Sequence, residues 1–245
     1  RAQLKMLRKY QSCSAVTKRT HRRFSCTCRA SASSSDSAPA ALITGSSTGI
    51  GLATAHLLSD KGWRVYAGVR READGQRVAQ ERPSITPVIL DVTQPAFIQA
   101  AKQLVEQERG DQGLQALFNN AGKGALVPLE HMPPGMLADT LAVNLTGAIA
   151  LTQAMLPALR AGARKGRVVN MGSLAGTVAL PLFSAYSITK FGLEAVSDML
   201  RAELQPQGIK VVLVKAGPVD TPIWGKTLAA TRAVRASLTA EQEAR

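Results

Sequence analysis

The sequence predicts a single α/β domain built on a doubly wound parallel sheet. Three observations lead to this prediction. From residue 39 onward, short apolar runs alternate with longer helical stretches. A glycine-rich segment separates the first apolar run from the first helical stretch. Hydrophobic residues make up 45% of the 245-residue chain, enough for one large core. Repeated strand–helix units of this kind give parallel strands with helices on both faces of the sheet.

The strands are predicted from short apolar runs that are bounded by turn residues. They cover residues 41–44, 64–68, 86–91, 114–118, 167–171 and 209–214. No strand is predicted after the sixth, so the sixth strand is expected to form an exposed edge of the sheet.

Helices are predicted between the strands. They cover residues 50–61, 74–80, 95–108, 135–160 and 186–205. Pro95 can open the third helix, because proline is tolerated at a first helical position. Pro206 and Gly208 end the fifth helix, and Pro157 is expected to make the fourth irregular. Residues 226–245 are expected to form part of one more helix.

The basic residues are concentrated at the N-terminus. Residues 1–38 hold nine Lys or Arg and one acid, so this segment carries +8 of the net charge of +13. It is also rich in serine and lacks the apolar run of a secretory signal. Such a composition is typical of an organelle transit peptide. We therefore divide the chain into a disordered leader, residues 1–38, and one globular domain, residues 39–245, with a modest net charge of +5.

The leader leaves alternatives open. Its Ser/Ala-rich end favours a chloroplast over a mitochondrion, and a chain without a transit peptide would be cytoplasmic. A disordered basic tail or a nucleic-acid-binding arm is the alternative interpretation of the same charges. All three cysteines, Cys13, Cys26 and Cys28, lie in the leader. The domain is therefore predicted to have neither a disulfide nor a thiolate metal site.

Residue spacing argues against two further classes of function. The three histidines, His21, His56 and His131, are scattered without metal-ligand spacing, so no metal is predicted. The longest apolar stretch, residues 141–159, is interrupted by polar side chains. This pattern predicts a buried helix rather than a membrane span. We predict neither a transmembrane segment nor a nucleic-acid partner for the domain.

Tyr186 and Lys190 are four residues apart in a predicted helix. Residues at this spacing lie on one helix face. A phenol ordinarily ionises near pH ~10, and an adjacent ammonium lowers the pKa of the phenol by favouring the phenolate. The pair is therefore a candidate general acid and base. An isolated pair of this kind is more often a solvated helix face, so the chemical interpretation depends on other motifs.

The glycine-rich segment runs from Thr44 to Gly51. Glycine permits a tight turn and lets the backbone approach a pyrophosphate whose charge faces a helix N-terminus. The glycines have the spacing GxxxGxG rather than GxGxxG. A plain turn would also use glycine, but the position between the first strand and the first helix favours a dinucleotide site.

Six motifs, in order along residues 41–224, resemble those of the short-chain dehydrogenases/reductases. They are TGxxxGxG at Thr44, Gly45, Gly49 and Gly51, NNAG at 119–122, a helix asparagine at Asn144, a serine at Ser173, YxxxK at Tyr186 and Lys190, and a PGxxxT-like loop at 217–221. The resemblance implies a Rossmann-type fold. It also implies hydride transfer between a nicotinamide and a carbonyl carbon.

The resemblance implies a catalytic set formed by Asn144, Ser173, Tyr186 and Lys190. Ser173 and Tyr186 would donate to the oxygen on which negative charge develops. Tyr186 would supply the proton in reduction and accept it in oxidation. Lys190 would hold the ribose hydroxyls and keep the pKa of Tyr186 low. Asn144 would connect to Lys190 through a water as a proton relay, and bonding to neighbouring backbone is the alternative.

The resemblance also implies a set of cofactor contacts. They are Gly45, Ser47, Gly49, Ile50, Gly51, Arg70, Asp91, Val92, Asn119, Ala121, Gly122, Tyr186, Lys190, Gly217, Val219 and Thr221. Asp91 and Val92 would meet the adenine, and a helix-capping role is the alternative for Asp91. Asn119 and Gly122 would support the loop after the first strand.

The end of the second predicted strand indicates the choice of cofactor. An NAD site usually places Asp or Glu there to bind the ribose 2′-hydroxyl. This chain has Arg70 and Arg71 instead, and its first acid, Glu72, comes later. Arg70 could bind a 2′-phosphate through charge-assisted hydrogen bonds. NADP(H) is therefore preferred over NAD(H), with a solvated loop as the alternative role for both arginines.

The C-terminal part departs from the family pattern. Val219 and Thr221 would meet the nicotinamide carboxamide, but Ala216 replaces the usual proline before Gly217. Only 21 residues follow Trp224, whereas relatives continue through a substrate lid, a helix and a final strand. The domain is therefore predicted to lack the final strand, and we expect low stability and an incomplete substrate pocket.

The substrate is expected to be a small apolar alcohol or ketone. Residues 65–70 and 186–198 resemble the retinol and hydroxysteroid dehydrogenase branch of the family. A 3-oxoacyl-carrier-protein reductase is the alternative enzyme, although Ser47 and Thr48 offer no basic residue in the glycine loop. A non-catalytic dinucleotide-binding protein is the alternative from another class. Relatives mostly form dimers or tetramers, so a homo-oligomer is expected.

Overall fold

The computed structural model describes residues 38–162 and 166–244. The predicted leader, with its three cysteines and its transit-peptide composition, lies outside the described residues except for Ala38. The described part of the chain forms an α/β domain around one parallel sheet. The predicted fold class is confirmed.

Six strands form the sheet, and every neighbouring pair is parallel. They are β1 Ala40–Ile43, β2 Arg64–Val69, β3 Ile85–Ile89, β4 Ala116–Asn119, β5 Arg167–Met171 and β6 Lys210–Val214. Their order across the sheet is β3-β2-β1-β4-β5-β6. The chain reverses its direction of winding between β3 and β4, so a crevice opens beyond the carboxyl ends of β1 and β4.

Helices lie between consecutive strands, as the connections of a parallel sheet require. Those of the described residues are α1 Gly49–Asp60, α2 Glu72–Glu81, α3 Pro95–Arg109, α4 Met136–Leu141, α5 Gly147–Ala161, α6 Ser184–Leu204, α7 Ile223–Ala236 and α8 Ala240–Ala244. The five helices predicted between strands are all present, and the fourth is formed by α4 and α5 together. The C-terminal helix expected within residues 226–245 corresponds to α7 and α8.

One continuous helical run, Met136–Ala161, contains both α4 and α5. Its middle, Ala142–Thr146, is π-helical, and Pro157 lies inside α5 without ending it. The predicted irregularity at Pro157 is therefore wrong. The run is long and apolar enough to cross a membrane by length and composition. However, Leu151, Met155 and Leu159 of α5 are fully buried in the main hydrophobic core, as in a core helix.

The sheet has a core on each face because the strand side chains alternate between them. The larger core packs Leu42 and Leu117 of the strands against Ile98 of α3 and Leu151 of α5. The smaller core packs Ile43 of β1 with residues of α1 and α2. Burial of both faces explains why the strands read as apolar runs in the sequence.

The β6 strand forms one edge of the sheet, as predicted, and no strand follows it within the described residues. One side of β6 is covered, since Val211 packs with Leu204 of α6. The other side carries Val212 and Val214, which are 42% and 38% exposed. Among the described residues, no strand pairs with the outer edge of β6, and these two valines are only partly covered.

A buried polar network connects the middle of the sheet to α5 and α6. Asn119 Nδ2 donates to Thr152 Oγ1 and to Asn170 Oδ1, at 2.9 Å in both cases. Asn170 Nδ2 in turn donates to Ser197 Oγ at 2.8 Å. Each of these side chains lies in the interior, where a polar group without a partner is costly.

Asn170→Ala is expected to destabilise the domain by about 1–3 kcal/mol, because it leaves buried donors and acceptors of Asn119 and Ser197 unpaired. The measurement is the urea midpoint of unfolding. Gln153→Ala, at an exposed position of α5, is the control and should change the free energy of unfolding by less than about 0.5 kcal/mol. Equal midpoints for the two variants would contradict the role of this network.

Candidate active site

The predicted site residues lie at the carboxyl edge of the sheet or on the helices beside it. After β1 come Gly45, Ser47, Gly49, Ile50 and Gly51, after β2 comes Arg70, and after β3 come Asp91 and Val92. Strand β4 ends at Asn119 and is followed by Ala121 and Gly122. After β5 comes Ser173, and after β6 come Gly217, Val219 and Thr221. Asn144 lies in the π-helical segment, and Tyr186 and Lys190 lie on α6. The fold therefore brings motifs from the whole domain to one crevice.

The loop after β1 is packed tightly against its neighbours, and Gly45 and Gly51 have no room for a side chain. A Cβ atom on Gly51 would lie 2.4 Å from Gly45 O and 2.5 Å from Asn120 Nδ2. Gly49 has a left-handed φ of +61°. The first turn of α1 contains no acidic residue, and the Thr48 side chain does not cap it. Its backbone N–H groups can therefore face an anion.

Thr44 and Asn120 fix this loop, and the sequence alone did not identify either role. Thr44 Oγ1 accepts hydrogen bonds from Asn120 N and Ala121 N, both at 2.9 Å. Asn120 Nδ2 donates to Thr44 O at 2.9 Å. The prediction that Asn119 supports the loop is therefore wrong. Asn119 lies on the same face of the sheet as Leu117 of the main core. The Asn119 side chain therefore points into the core, toward Thr152 of α5.

The loop after β6 contacts the glycine-rich loop directly. A Cβ atom on Gly49 would lie 3.3 Å from Thr221 Cβ. Helix α7 begins just after this contact and is bound at its middle, where Thr231 Oγ1 accepts a hydrogen bond from Leu126 N at 2.9 Å. Val219 remains 43% exposed beside this contact. The loop after β6 and helix α7 together therefore extend across the crevice, from the glycine-rich loop after β1 to the loop after β4.

Tyr186 is held by its neighbours at the crevice. Its ring centroid lies 6.3 Å from that of Phe183, and the backbone of Gly124 packs against the ring. The Ser173 hydroxyl accepts a hydrogen bond from Ala175 N at 3.2 Å, so its own proton is free for another acceptor. Burial raises the pKa of Tyr186 above its ordinary value, and hydrogen bonding to Ser173 offsets part of that rise.

Lys190 is almost completely buried, with 4% of its surface exposed. Its Nζ atom donates to Met171 O at 2.6 Å and lies 5.5 Å from the centroid of the Tyr186 ring. Burial lowers the pKa of Lys190 to about 8. The prediction that Lys190 keeps the pKa of Tyr186 low is wrong for the protein without cofactor. The cost of burying a phenolate exceeds any benefit from an ammonium beneath the ring.

Asn144 connects three elements through its side-chain amide. Its Oδ1 atom accepts from Lys123 N at 2.8 Å, and its Nδ2 atom donates to Lys123 O at 2.9 Å. Nδ2 also donates to Thr189 Oγ1 at 3.1 Å, on the helix that carries the catalytic candidates. The amide thus has the partners that its burial requires. The water link from Asn144 to Lys190 stays a prediction.

Asp91 and Val92 lie beyond β3. Asp91 Oδ1 accepts hydrogen bonds from Thr93 N at 2.9 Å and Thr93 Oγ1 at 2.7 Å, which closes a local turn. Gln94, not Asp91, occupies the N-cap position of α3, and its side chain makes no capping hydrogen bond. Val92 is buried, and its backbone and side chain contact Gly147. The adenine contact of Asp91 and Val92 stays a prediction.

Three arginines surround the end of β2 and the glycine-rich loop. Arg70 is exposed, and no hydrogen bond or ion pair of its side chain occurs within the described ranges. Arg71 instead binds the carboxylate of Asp74 with two donors, at 2.7 and 2.9 Å. Arg77 of α2 donates from Nη2 to the carbonyl oxygen of Ser47, a contact that sequence reasoning missed. Of the three, Arg70 is thus the arginine whose guanidinium has no partner among the described residues.

The histidines pair with carboxylates rather than with one another. His56 Nε2 lies 3.3 Å from Glu81 Oε2, and His131 Nε2 lies 3.2 Å from Glu130 Oε1. His21 lies outside the described residues. In the part of the chain that the structure describes, no group of three His, Cys, Asp or Glu could hold a metal ion.

Comparison with known proteins gives a consistent result. A family profile described as short chain dehydrogenase matches residues 39–232. A relative from Ornithobacterium rhinotracheale, an NADPH-dependent 3-dehydrocapnine reductase, is 34% identical over 190 residues, which are 76% of this chain and 67% of the relative. Estradiol 17-beta-dehydrogenase 2 of Mus musculus is 38% identical over 190 residues, which are 76% of this chain and 49% of that protein.

The fold is also similar to solved structures. That of the 3-ketoacyl-(acyl-carrier-protein) reductase from Brucella melitensis, complexed with NADH, has a TM-score of 0.73 and 27% sequence identity. The match covers 78% of this chain and 79% of that one. The chain therefore spans between about half and four fifths of the length of the proteins it is compared with.

Proposed function

We propose, from the premise that the chain belongs to the short-chain dehydrogenase/reductase family, that it is an NADP(H)-dependent oxidoreductase. It would interconvert a carbonyl and a primary or secondary alcohol on an apolar substrate. One observation carries the proposal. Ser173 follows β5 at the carboxyl edge of the sheet, beside the glycine-rich loop, and Lys190 Nζ lies 5.5 Å from the centroid of the Tyr186 ring on the adjacent helix α6.

The proposed chemistry assigns one task to each side chain. The nicotinamide, when bound, supplies or accepts the hydride. The Ser173 hydroxyl donates to the substrate oxygen and orients the carbonyl. The Tyr186 phenol transfers its proton to that oxygen in reduction and takes the proton back in oxidation. The Lys190 ammonium, 5.5 Å from the centre of the Tyr186 ring, stabilises the negative charge left on the phenol.

The residues of the crevice suit a dinucleotide. The glycine-rich loop and the first turn of α1 would hold the pyrophosphate, and Gly51 lets the start of α1 pack closely against Gly45 O and Asn120 Nδ2. Asp91 and Val92 would meet the adenine, and Val219 and Thr221 the carboxamide. These assignments are supported because each of these residues follows the carboxyl end of a strand.

The preference for NADP(H) rests on Arg70, whose guanidinium has no partner among the described residues. The NADPH-dependent relative supports this preference, whereas the Brucella structure holds NADH. Arg70→Ala is expected to weaken NADPH binding about tenfold or more and leave NADH binding unchanged, because it removes charge-assisted bonds to a phosphate.

The measurement for Arg70→Ala is a fluorescence titration with each reduced cofactor. Arg82→Ala is a matched control, since Arg82 is an exposed arginine that pairs with Asp60 away from the crevice. An unchanged ratio of NADPH to NADH affinity in Arg70→Ala would refute the assignment.

An apolar substrate is supported by the side chains near Ser173. Leu174 and Val178, one and five residues after Ser173, are 55% and 57% exposed. The similarity to an estradiol dehydrogenase agrees with a bulky apolar ketone or alcohol. The 3-oxoacyl-carrier-protein reductase is the second candidate, supported by the Brucella structure. A non-catalytic dinucleotide-binding protein is less well supported, because Ser173, Tyr186 and Lys190 are all retained.

The decisive experiment combines binding with turnover. NADPH and NADH titrations come first, followed by a panel of steroid, retinoid and short-chain ketones and a 3-oxoacyl thioester. Reduction of the apolar ketones supports the proposal, and reduction of only the thioester supports the second candidate. Cofactor binding without turnover of any substrate would support the non-catalytic candidate, and absence of cofactor binding would refute all three.

We also propose that the protein forms a homo-oligomer and carries a transit peptide at residues 1–38. Helix α6 supports the first proposal, since Ile188, Phe191 and Met199 expose apolar surface on it. Light scattering at several concentrations tests the oligomer. Import of a fluorescent fusion of residues 1–38 into isolated chloroplasts or mitochondria tests the leader.

A further inference from the structure

Arg77 connects the second helix to the glycine-rich loop. It lies on α2, seven residues beyond Arg70, and is half-buried. Its Nη2 atom donates to the carbonyl oxygen of Ser47, and its Nη1 atom donates to Glu81 Oε1 at 2.6 Å. This half-buried guanidinium therefore places a permanent positive charge next to the glycine-rich loop.

The Ser47 carbonyl lies where the ends of β1 and β2 meet. Ser46 N, one residue before it, donates to Gly68 O at 2.9 Å. Arg70 follows Gly68 by two residues. The loop after β1 and the end of β2 are therefore side by side, and Arg77 reaches this junction from α2. The ribose of a dinucleotide is bound at such a junction, and its 2′ position faces the end of the second strand.

The charges around Arg77 leave it able to bind an anion. Glu81 is shared, because His56 Nε2 also lies 3.3 Å from its carboxylate. Asp74 is bound by Arg71, and that arginine is the main reason why the pKa of Asp74 is lowered, with Arg77 and Lys226 adding to the effect. A guanidinium has five N–H donors. The described contacts of Arg77 use two, to Ser47 and Glu81, and the other three can bind a ligand.

We propose that Arg77 is a specificity-determining residue that binds the 2′-phosphate of NADP(H) together with Arg70. The glycine-rich loop has Ser47 and Thr48 but no basic residue of its own, and Arg77 supplies a cation to the same place from α2. This inference rests on the proposed function, because it assigns a residue to the cofactor site. It predicts that selectivity depends on two arginines on different elements.

The test uses 2′,5′-ADP and 5′-AMP, which differ by the 2′-phosphate and lack the nicotinamide. Calorimetric titration of the full chain should show that Arg77→Gln weakens 2′,5′-ADP binding about 10- to 100-fold. Binding of 5′-AMP should stay within about twofold. Arg77→Lys, which keeps the charge but loses the planar fork, should recover part of the affinity. Arg82→Gln is the matched control.

The outcomes separate phosphate binding from loop support. If Arg77 only supported the loop, Arg77→Gln would weaken both nucleotides equally, and that result would overturn the inference. Unchanged affinity for 2′,5′-ADP would overturn it too. If the wild type binds NADPH and the Arg77→Gln variant gives either of these results, the inference about Arg77 fails while the proposed function stands. A wild-type chain that binds neither NADPH nor NADH refutes the proposed function itself.

Discussion

Tyr186→Phe is expected to lower kcat by about 10²- to 10⁴-fold, the usual contribution of a positioned general acid or base. The substitution removes only the hydroxyl. The ring keeps its neighbours Phe183 and Gly124, so the helix and the cofactor site should remain as they are. Affinity for NADPH should therefore change by less than about twofold. A fall in kcat without a change in cofactor affinity is the signature of a group that acts in the transition state.

The direction of the pKa shift gives this prediction a pH dependence. Burial raises the pKa of Tyr186, so the phenol of the cofactor-free protein is protonated at neutral pH. A protonated phenol is ready to act as the acid in reduction, whereas oxidation needs the phenolate. The rate of alcohol oxidation by the wild type should therefore increase as the pH rises above neutrality, and ketone reduction should not. The Tyr186→Phe variant should lose this difference.

Tyr66→Phe provides the matched control. It removes a phenol hydroxyl from a fully buried ring in β2, where the hydroxyl donates to Glu108 Oε2 at 2.9 Å. This change should lower stability by about 1 kcal/mol and leave kcat unchanged. Both variants are assayed on the best ketone of the substrate panel. If Tyr186→Phe retained turnover comparable to Tyr66→Phe, the acid–base role would be refuted.

The architecture could be predicted because the hydrophobic pattern determines which segments are buried on both faces. Apolar runs such as residues 167–171 and 209–214 correspond to β5 and β6, shifted by at most one residue. Pro157 misled the prediction of the long helix. The carbonyl that loses its partner belongs to Gln153, on an exposed part of α5 where water can replace the bond. The π-helical segment has no comparable local signal.

The site was predictable to the level of loops but not of contacts. Parallel strands bring their carboxyl ends together, so motifs far apart in sequence had to meet at one edge. Which of Asn119 and Asn120 faces the loop depends on the residue at which β4 ends. The contact between Arg77 and Ser47 joins residues thirty positions apart, and only the packing of α2 determines it. A motif comparison contains neither kind of information.

The buried lysine illustrates a further limit. The spacing of Tyr186 and Lys190 predicts that they are neighbours, and the structure places them so. The sign of the pKa shift on the phenol depends on a competition between burial and charge, which spacing does not reveal. Here burial dominates both groups, raising the pKa of the tyrosine and lowering that of the lysine. Of this candidate pair, only Lys190 is therefore held at a cost to stability at neutral pH, because it is buried while charged.

Lys190→Met is expected to abolish turnover and yet stabilise the cofactor-free protein by about 2 kcal/mol at about pH 7. The pKa of Lys190 falls from 10.5 to about 8, and a shift of this size corresponds to a burial cost of about 3 kcal/mol. Methionine has a similar length and no charge, so it removes that cost. It also removes the hydrogen bond from Nζ to Met171 O, which offsets about 1 kcal/mol of the gain.

The stabilisation by Lys190→Met should depend on pH with a definite sign. Below about pH 8 the lysine is charged in both the folded and the unfolded wild type, so the full burial cost is present. Between about pH 8 and 10.5 the folded protein releases the proton while the unfolded chain retains it, and the wild type gains stability as the pH rises. The advantage of Lys190→Met should therefore shrink above about pH 8 and vanish near pH ~10.

Urea unfolding of the cofactor-free wild type and Lys190→Met between about pH 7 and 9.5 measures this difference. Lys102→Met is the matched control, because Lys102 is a partly exposed lysine of α3 that pairs with Glu106. It should change stability by less than about 1 kcal/mol with no comparable pH dependence. A Lys190→Met protein that is less stable than the wild type at about pH 7, or a gap that widens toward alkaline pH, would show that the ammonium is well solvated or paired and that its burial carries no such cost.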